Sequence, residues 1–211
     1  MNKIKVLYDV FKTMKDKEAF NGDVTIEAIV NEKKVFFLSN QFSTNNETGT
    51  TKTKISTEVD YEDNKFKHES TTEFNMKDHH HHNHGMLKHG NLKDKLSHVT
   101  FMLGVLNKIK VEEDGDKTLL SLDLKEIIDE VKELHPKLDD KICEKMKEDK
   151  SHHHVFIKEF IEMEATDASL KVSINKTNEV EQVEIIANGN KNITVSEQCK
   201  ESFKLLFKLA W

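Results

Sequence analysis

The sequence predicts an α+β fold: a curved antiparallel sheet made of two meanders, half-barrel-like, with helices packed on one face. Three observations carry this expectation. Apolar and polar residues alternate over long stretches on both sides of a helical middle, those stretches are separated by Asn-, Asp- and Gly-rich turns, and helical spacing opens and closes the chain. At 211 residues the whole order fits one domain, 1–211. Only 36% of the residues are hydrophobic and 33% are charged, so the apolar side chains must be concentrated on defined faces.

Leu7, Val10, Phe11 and Met14 share one side of a first helix whose remaining surface carries Lys5, Asp9, Lys12 and residues 15–17. After Gly22 the period becomes two. Val24, Ile26, Ala28 and Val30 alternate with polar residues, and a polar turn at 31–34 leads into the apolar run 35–38. A turn cluster at 45–49 precedes a strand with Thr51, Thr53, Ile55, Thr57, Val59 and Tyr61 on one face. Its partner places Phe66, His68, Ser70, Thr72 and Phe74 on the matching face, so residues 22–76 read as a four-stranded meander. The Thr and Ser on those inner faces fit either a strand that overhangs its core or a concave face lining a partly solvated cavity.

Residues 1–77 are thus a helix plus a four-stranded meander, and 78–90 are a His-rich loop. Residues 91–150 form a helical excursion with one short strand, in which Asn91 caps a helix, Asp123 and Glu126 make a capping box and Pro136 kinks the helix that follows. Residues 151–211 form a second meander, with strands at 156–163, 168–174 and 180–186 and a turn at Gly189, plus a C-terminal helix. In that helix Ser196 is the N-cap and Cys199, Phe203, Leu206, Phe207 and Trp211 share a face. Cys143 and Cys199, both in predicted helices, form neither a disulfide framework nor a CxxC pair.

Several function classes are disfavoured. The net charge is -6 and all 32 basic residues are lysine, which lacks the planar fork that clamps phosphate and guanine, so no nucleic-acid partner is expected. No GxGxxG, Walker A, GxSxG, SxxK or kinase pattern occurs, and an enzyme is not expected. No apolar run reaches the roughly 18–20 residues of a membrane span, so no transmembrane segment is expected. The opening residues lack a secretory h-region, which predicts a cytoplasmic chain as it stands, or a cell-envelope or extracellular one if an export signal has been removed.

The most specific chemistry is the tract KDHHHHNHG, which supplies His79, His80, His81, His82 and His84. A second cluster at 152–154 adds His152 and His154. Imidazole is the commonest metal ligand near neutral pH and suits Zn or Ni. If the strand after His154 pairs with residues 65–76, both clusters meet at one rim of the sheet. The alternative is a low-complexity loop that binds divalent metal as any oligohistidine would.

The segments LYDVFKTMKDKEAFNGDVTIEA, VEEDGDKTLLSLDL with KEIIDEVKEL, and DASLKVSINKTNEVEQVEII, with Phe20-Asn21-Gly22 before the first strand and Ile174-Asn175-Lys176-Thr177 at a late hairpin, resemble the LolA/LppX-like lipoprotein-carrier superfamily and its bacterial relatives. The resemblance implies a curved sheet wrapped on helices around an apolar cavity for acyl chains or another hydrophobic ligand. The lining it implies is Phe37, Ile55, Val59, Tyr61, Phe66 and Phe74 from the sheet, with Leu103 and Leu106 from a covering helix, and His68 projects among them. Three functions follow: a non-enzymatic binder of a hydrophobic small molecule or lipid, a divalent-metal binder, and a structural or interaction module.

Overall fold

The computed structural model describes residues 2–61, 64–75, 92–127, 164–192 and 198–211. Helix α1 (Lys3–Lys15) starts at Asn2, whose side-chain oxygen accepts from the backbone N–H groups of Ile4 and Lys5 at 3.1 and 3.3 Å, satisfying two otherwise free donors of the first turn. Four strands follow, β1 (Ala19–Val30), β2 (Lys33–Asn45), β3 (Thr50–Tyr61) and β4 (Asn64–Asn75). Then come α2 (Leu92–Lys108), β5 (Lys110–Asp114), β6 (Lys117–Asp123), β7 (Glu164–Ile174), β8 (Val180–Asn192) and β9 (Gln198–Ala210).

All nine strands belong to one antiparallel sheet in the order β4-β3-β2-β1-β9-β8-β7-β6-β5. The sheet does not close: among the described residues its outer strands, β4 and β5, each have one neighbour. The fold is mostly β.

The turns explain the register. Asn31 and Glu32 both adopt positive φ, 48° and 67°, between the paired Val30 and Lys33, the two-residue geometry whose twist matches that of flanking strands. The Asn31 N–H also donates to the Lys200 carbonyl at 2.9 Å and its side chain accepts from the Lys200 N–H at 3.0 Å, which ties this turn to β9. At the β2–β3 turn Asn45 Oδ1 accepts from the N–H and hydroxyl of Thr48, and Gly49 takes the positive φ of 75°.

The first meander is as expected from residues 22–76, and the C-terminal region is not. The segment read as a C-terminal helix is β9, paired with β1 on one side and β8 on the other, at the centre of the sheet. Phe203, Leu205, Phe207 and Leu209 alternate, while Leu206 with Cys199, Phe203, Phe207 and Trp211 satisfies helical spacing as well. Two partners' worth of ladder hydrogen bonds and burial select the strand. Cys199 therefore lies on β9 opposite Lys191, not on a helix. Gly189 is not a turn but an interior residue of β8, opposite Ala165 and Glu201. The excursion holds two strands, the β5–β6 hairpin, where one was expected. The strand expected at 156–163, the Asn91 and Ser196 caps, Pro136 and Cys143 lie outside the described residues.

Side chains at alternate positions form two faces. On one, the register lines up Ala187, Phe203, Ala28, Phe36, Val59 and Phe66 across six strands, with Ile185, Leu205, Ile26, Leu38, Thr57 and His68 as the next row. The other face carries cross-strand ion pairs such as Lys67–Glu58 at 2.8 Å, Lys52–Glu73 at 3.3 Å and Lys204–Glu184 at 2.7 Å. A one-residue slip would swap the two faces, so this segregation fixes the pairing.

α1 lies on the apolar face. Its Val6 and Val10 share a buried cluster with Leu120 of β6, Ile174 of β7 and Val180 of β8, and Leu7 and Met14 pack against it with Val111, Val172, Val183 and Leu209. Lys3 Nζ reaches the carbonyl of Asn107 at 3.0 Å and so joins the start of α1 to the end of α2.

Candidate ligand-binding face

The α1 cluster occupies the β5–β9 side of the apolar face. On the β1–β4 side the same face continues with Val24, Ile26, Leu38, Phe42, Ile55 and Val59, all half-buried, and Phe66, which is 51% exposed. Alternation positions them: successive strand residues point to opposite sides, and the antiparallel register places Val59 between Phe36 and Phe66.

Two clefts border this face among the described residues. The larger, of about 520 Å3, lies at the edge of the sheet, lined by Phe36, Val59 and Phe66 of the apolar face and by Lys34, Phe37, Glu58, Asp60, Lys65 and Lys67, which alternation places on the charged face. Its volume falls inside the roughly 300–1,000 Å3 range of small-molecule sites. The charges at its edge are matched: Lys67 hydrogen-bonds Glu58, Lys33 and Lys65 flank Asp60 at 3.1 and 3.6 Å, and Lys34 meets Glu27 at 2.6 Å. The Lys67 hydrogen bond holds Glu58 below the usual carboxylate range and raises Lys67, while Lys33 lowers Asp60. With its lysines engaged by Glu27, Glu58 and Asp60, the cleft pairs matched charges with the apolar edge formed by Phe36, Val59 and Phe66. The smaller cleft, of about 250 Å3, lies by Gly22, Phe42 and Leu209.

Polar groups on this face lie mostly on β3 and β4, where Thr51, Thr53, Thr57, His68, Ser70 and Thr72 are joined by Asn40 and Thr44 of β2. Thr44 and Thr51 are buried and their hydroxyls meet at 3.2 Å, and Thr57 is buried beside Leu38. Asn40, opposite Val24 and Ile55, has a buried Oδ1 that accepts no hydrogen bond among the described residues. An unpaired buried amide oxygen costs about 1–3 kcal/mol, so a donor brought to it is favoured.

Of the residues expected to line a cavity, Ile55, Val59, Phe66, His68 and Phe74 share the apolar face. His68 is exposed there, its ring stacked on Phe66 with centroids 6.0 Å apart. Phe37 does not share that face, yet it lines the larger cleft. It follows Phe36 in β2, opposite Glu27 and Glu58, so it lies on the charged face, where Lys34 Nζ sits 4.9 Å from its ring. The run 35–38 hid this, because four consecutive apolar residues carry no period; Val35 is the extra residue of a bulge between Ala28 and Ile29. Tyr61 pairs with Asn64 at the end of β3. Leu106 is half-buried and Leu103 is 54% exposed, and neither borders these two clefts. Sequence reading missed Asn40, whose place between Leu38 and Phe42 in an alternating strand was the available signal.

His79, His80, His81, His82, His84, His152 and His154 lie outside the described residues. The strand expected directly after His154, and with it the expected meeting of the two clusters, also lies outside the described residues. Among the described residues no group of three or more His, Cys, Asp or Glu is placed to hold a metal.

Fold and face together define a mostly-β protein built on one open nine-stranded antiparallel sheet with an apolar and a charged side. No protein-family model matches the chain, and no curated protein matches it. No described helix is long and apolar enough to cross a membrane.

Proposed function

We propose that this protein binds a hydrophobic or lipid-like ligand, without catalysis, on the apolar face of β1–β4. The observation that carries the reading is the continuity of that face: half-exposed Val24, Ile26, Leu38, Ile55 and Val59 extend the α1 core cluster to Phe36, Val59 and Phe66, which border a cleft of about 520 Å3 shared with the charged face. An apolar floor with a few placed polar groups is the usual composition of a small-molecule site. Asn40 Oδ1 supports a ligand that is apolar over most of its length and carries one hydroxyl or N–H donor. The curved, half-barrel arrangement with helices closing over the sheet, as the lipoprotein-carrier resemblance implies, belongs to the same proposal.

The test is saturable binding of a fluorescent fatty acid and of its fatty-alcohol counterpart. Phe66 is half-exposed, so Phe66→Ser leaves the fold intact while removing an aromatic wall of the cleft. It is expected to weaken binding about 10-fold or more, whereas Asn40→Leu weakens the alcohol selectively. Absence of saturable binding, or binding that Phe66→Ser leaves unchanged, would sink the reading.

A further inference from the structure

The side of α1 that faces away from the sheet is unlike an ordinary solvated helix face. Val6 and Val10 point into the core, yet Ile4, Tyr8 and Phe11 are 68%, 63% and 66% exposed. Stepping about 100° per residue, Phe11, Ile4, Lys15, Tyr8, Lys12 and Lys5 follow one another across an arc of about 120°. Lys5, Lys12 and Lys15 are all exposed, and no ion pair among the described residues involves them. Asp9, the only carboxylate of α1, falls beyond Lys5 on the flank of the arc. A patch of three large apolar side chains laced with three free cations therefore stands on a chain whose net charge is -6.

We infer that this arc is a docking surface for an anionic lipid bilayer, with α1 lying flat in the headgroup region. The pattern is that of an interfacial helix: apolar side chains enter the acyl boundary, lysines reach back to anionic headgroups, and tyrosine sits at the level of its amphipathic ring. Charge complementarity excludes the simplest alternative. Two copies of the arc brought face to face would set lysine against lysine around the apolar residues, so self-pairing is opposed by repulsion. A nucleic acid is disfavoured because the arc has no arginine and its apolar half would stay unmatched. A single exposed helix is convex and offers no groove for a peptide, while a bilayer surface needs none. The α1 core anchorage through Val6, Val10 and Lys3 presents the arc as a fixed ridge, so no folding cost accompanies binding.

The inference stands independently of ligand binding on the sheet, because none of the six arc residues lines either cleft. It is tested with the full chain and vesicles of phosphatidylcholine with and without phosphatidylglycerol, by co-sedimentation at low and high salt. Binding is expected only with the anionic lipid, and it weakens as salt rises. The combined change Lys5→Glu, Lys12→Glu and Lys15→Glu is expected to reduce partitioning by about 100-fold or more. Tyr8→Ser with Phe11→Ser reduces it about 10-fold or more. All five sites are exposed, and unchanged far-ultraviolet circular dichroism confirms that each variant is folded. Equal binding to neutral vesicles, no binding to anionic ones, or partitioning unaffected by either variant overturns the inference. Micromolar self-association abolished by Tyr8→Ser and Phe11→Ser, without vesicle binding, would instead assign the arc to a second copy of the chain. Loss of fatty-acid binding in Phe66→Ser with vesicle binding retained separates the two sites.

Discussion

The ring of Phe42 on β2 covers Gly22 on β1. A Cβ at Gly22 would lie 2.7 Å from Phe42 Cε1 and 2.9 Å from the carbonyl oxygen of Lys208, so this residue is glycine because two strands and a ring converge on it. Phe42 leans across the gap to stack on Phe207, centroids 5.8 Å apart and planes 11° from parallel, and meets the edge of Phe20 at 5.9 Å. Phe20 in turn lies 5.5 Å from Trp211, whose indole N–H donates to the carbonyl of Val180 at 2.9 Å. One missing side chain thus lets aromatic rings from the neighbouring strands β1, β2 and β9 meet across the middle of the sheet.

Gly22→Ala is therefore expected to destabilise the protein by about 1–3 kcal/mol, read as a lower midpoint in urea. The Lys208 carbonyl belongs to a ladder and cannot yield cheaply. Adding Phe42→Leu should recover part of the loss, and a Gly22→Ala protein as stable as its parent would show that the ring is free to move away.

Acid sensitivity should reside at Glu179. Its carboxylate accepts from Asn175 Nδ2 at 2.6 Å and Thr177 Oγ1 at 2.8 Å and is paired with Lys17 from the α1–β1 connection. The Asn175 hydrogen bond is the largest influence, followed by Lys17 and Thr177, and together they hold the carboxyl at about 2, against an ordinary value of 4.5. A lowered folded-state value stabilises the fold above about pH 4.5, and this contribution is lost as pH falls toward 2. Glu179→Gln should thus be less stable than the parent at neutral pH, with a gap that narrows through that acid window. A gap constant from pH 7 to pH 2 would refute the assignment.

The buried pair Thr44 and Thr51 offers a test of the hydroxyls on the apolar face. Their oxygens are 3.2 Å apart, so replacing one strands the other. Thr44→Val alone is expected to cost about 1–2 kcal/mol, while Thr44→Val with Thr51→Val is close to neutral because both polar groups leave together. A double-mutant cycle in urea measures the coupling, and additive losses would mean that each hydroxyl has its own partner.

Much of this architecture was legible from local pattern. Val24, Ile26 and Ala28, the alternating threonines of β3, and Phe66 to Phe74 on β4 were assigned to one face because a strand's side chains alternate, and the register confirms it. The Asn175–Asn178 turn was readable from turn chemistry alone: Asn175 Oδ1 accepts from the N–H groups of Thr177 and Glu179, and Asn178 takes a φ of 60°. The candidate site was half legible. Ile55, Val59 and Phe66 follow from alternation, whereas Phe37 could not be placed without the bulge at Val35 that sets the phase of its strand.

The sequence by itself determined the strands that alternate, the turns between them and a lysine-only basic surface. Only the tertiary structure decided that residues 198–210 are a strand. Helical spacing gathers Cys199, Phe203, Leu206, Phe207 and Trp211 on one face and extended spacing gathers Phe203, Leu205, Phe207 and Leu209, and nothing within the segment chooses between the two. What separates them is that β1 and β8 each leave an edge for it: in that slot every backbone N–H and C=O can find a cross-strand partner, and the apolar rows become continuous from β8 to β4.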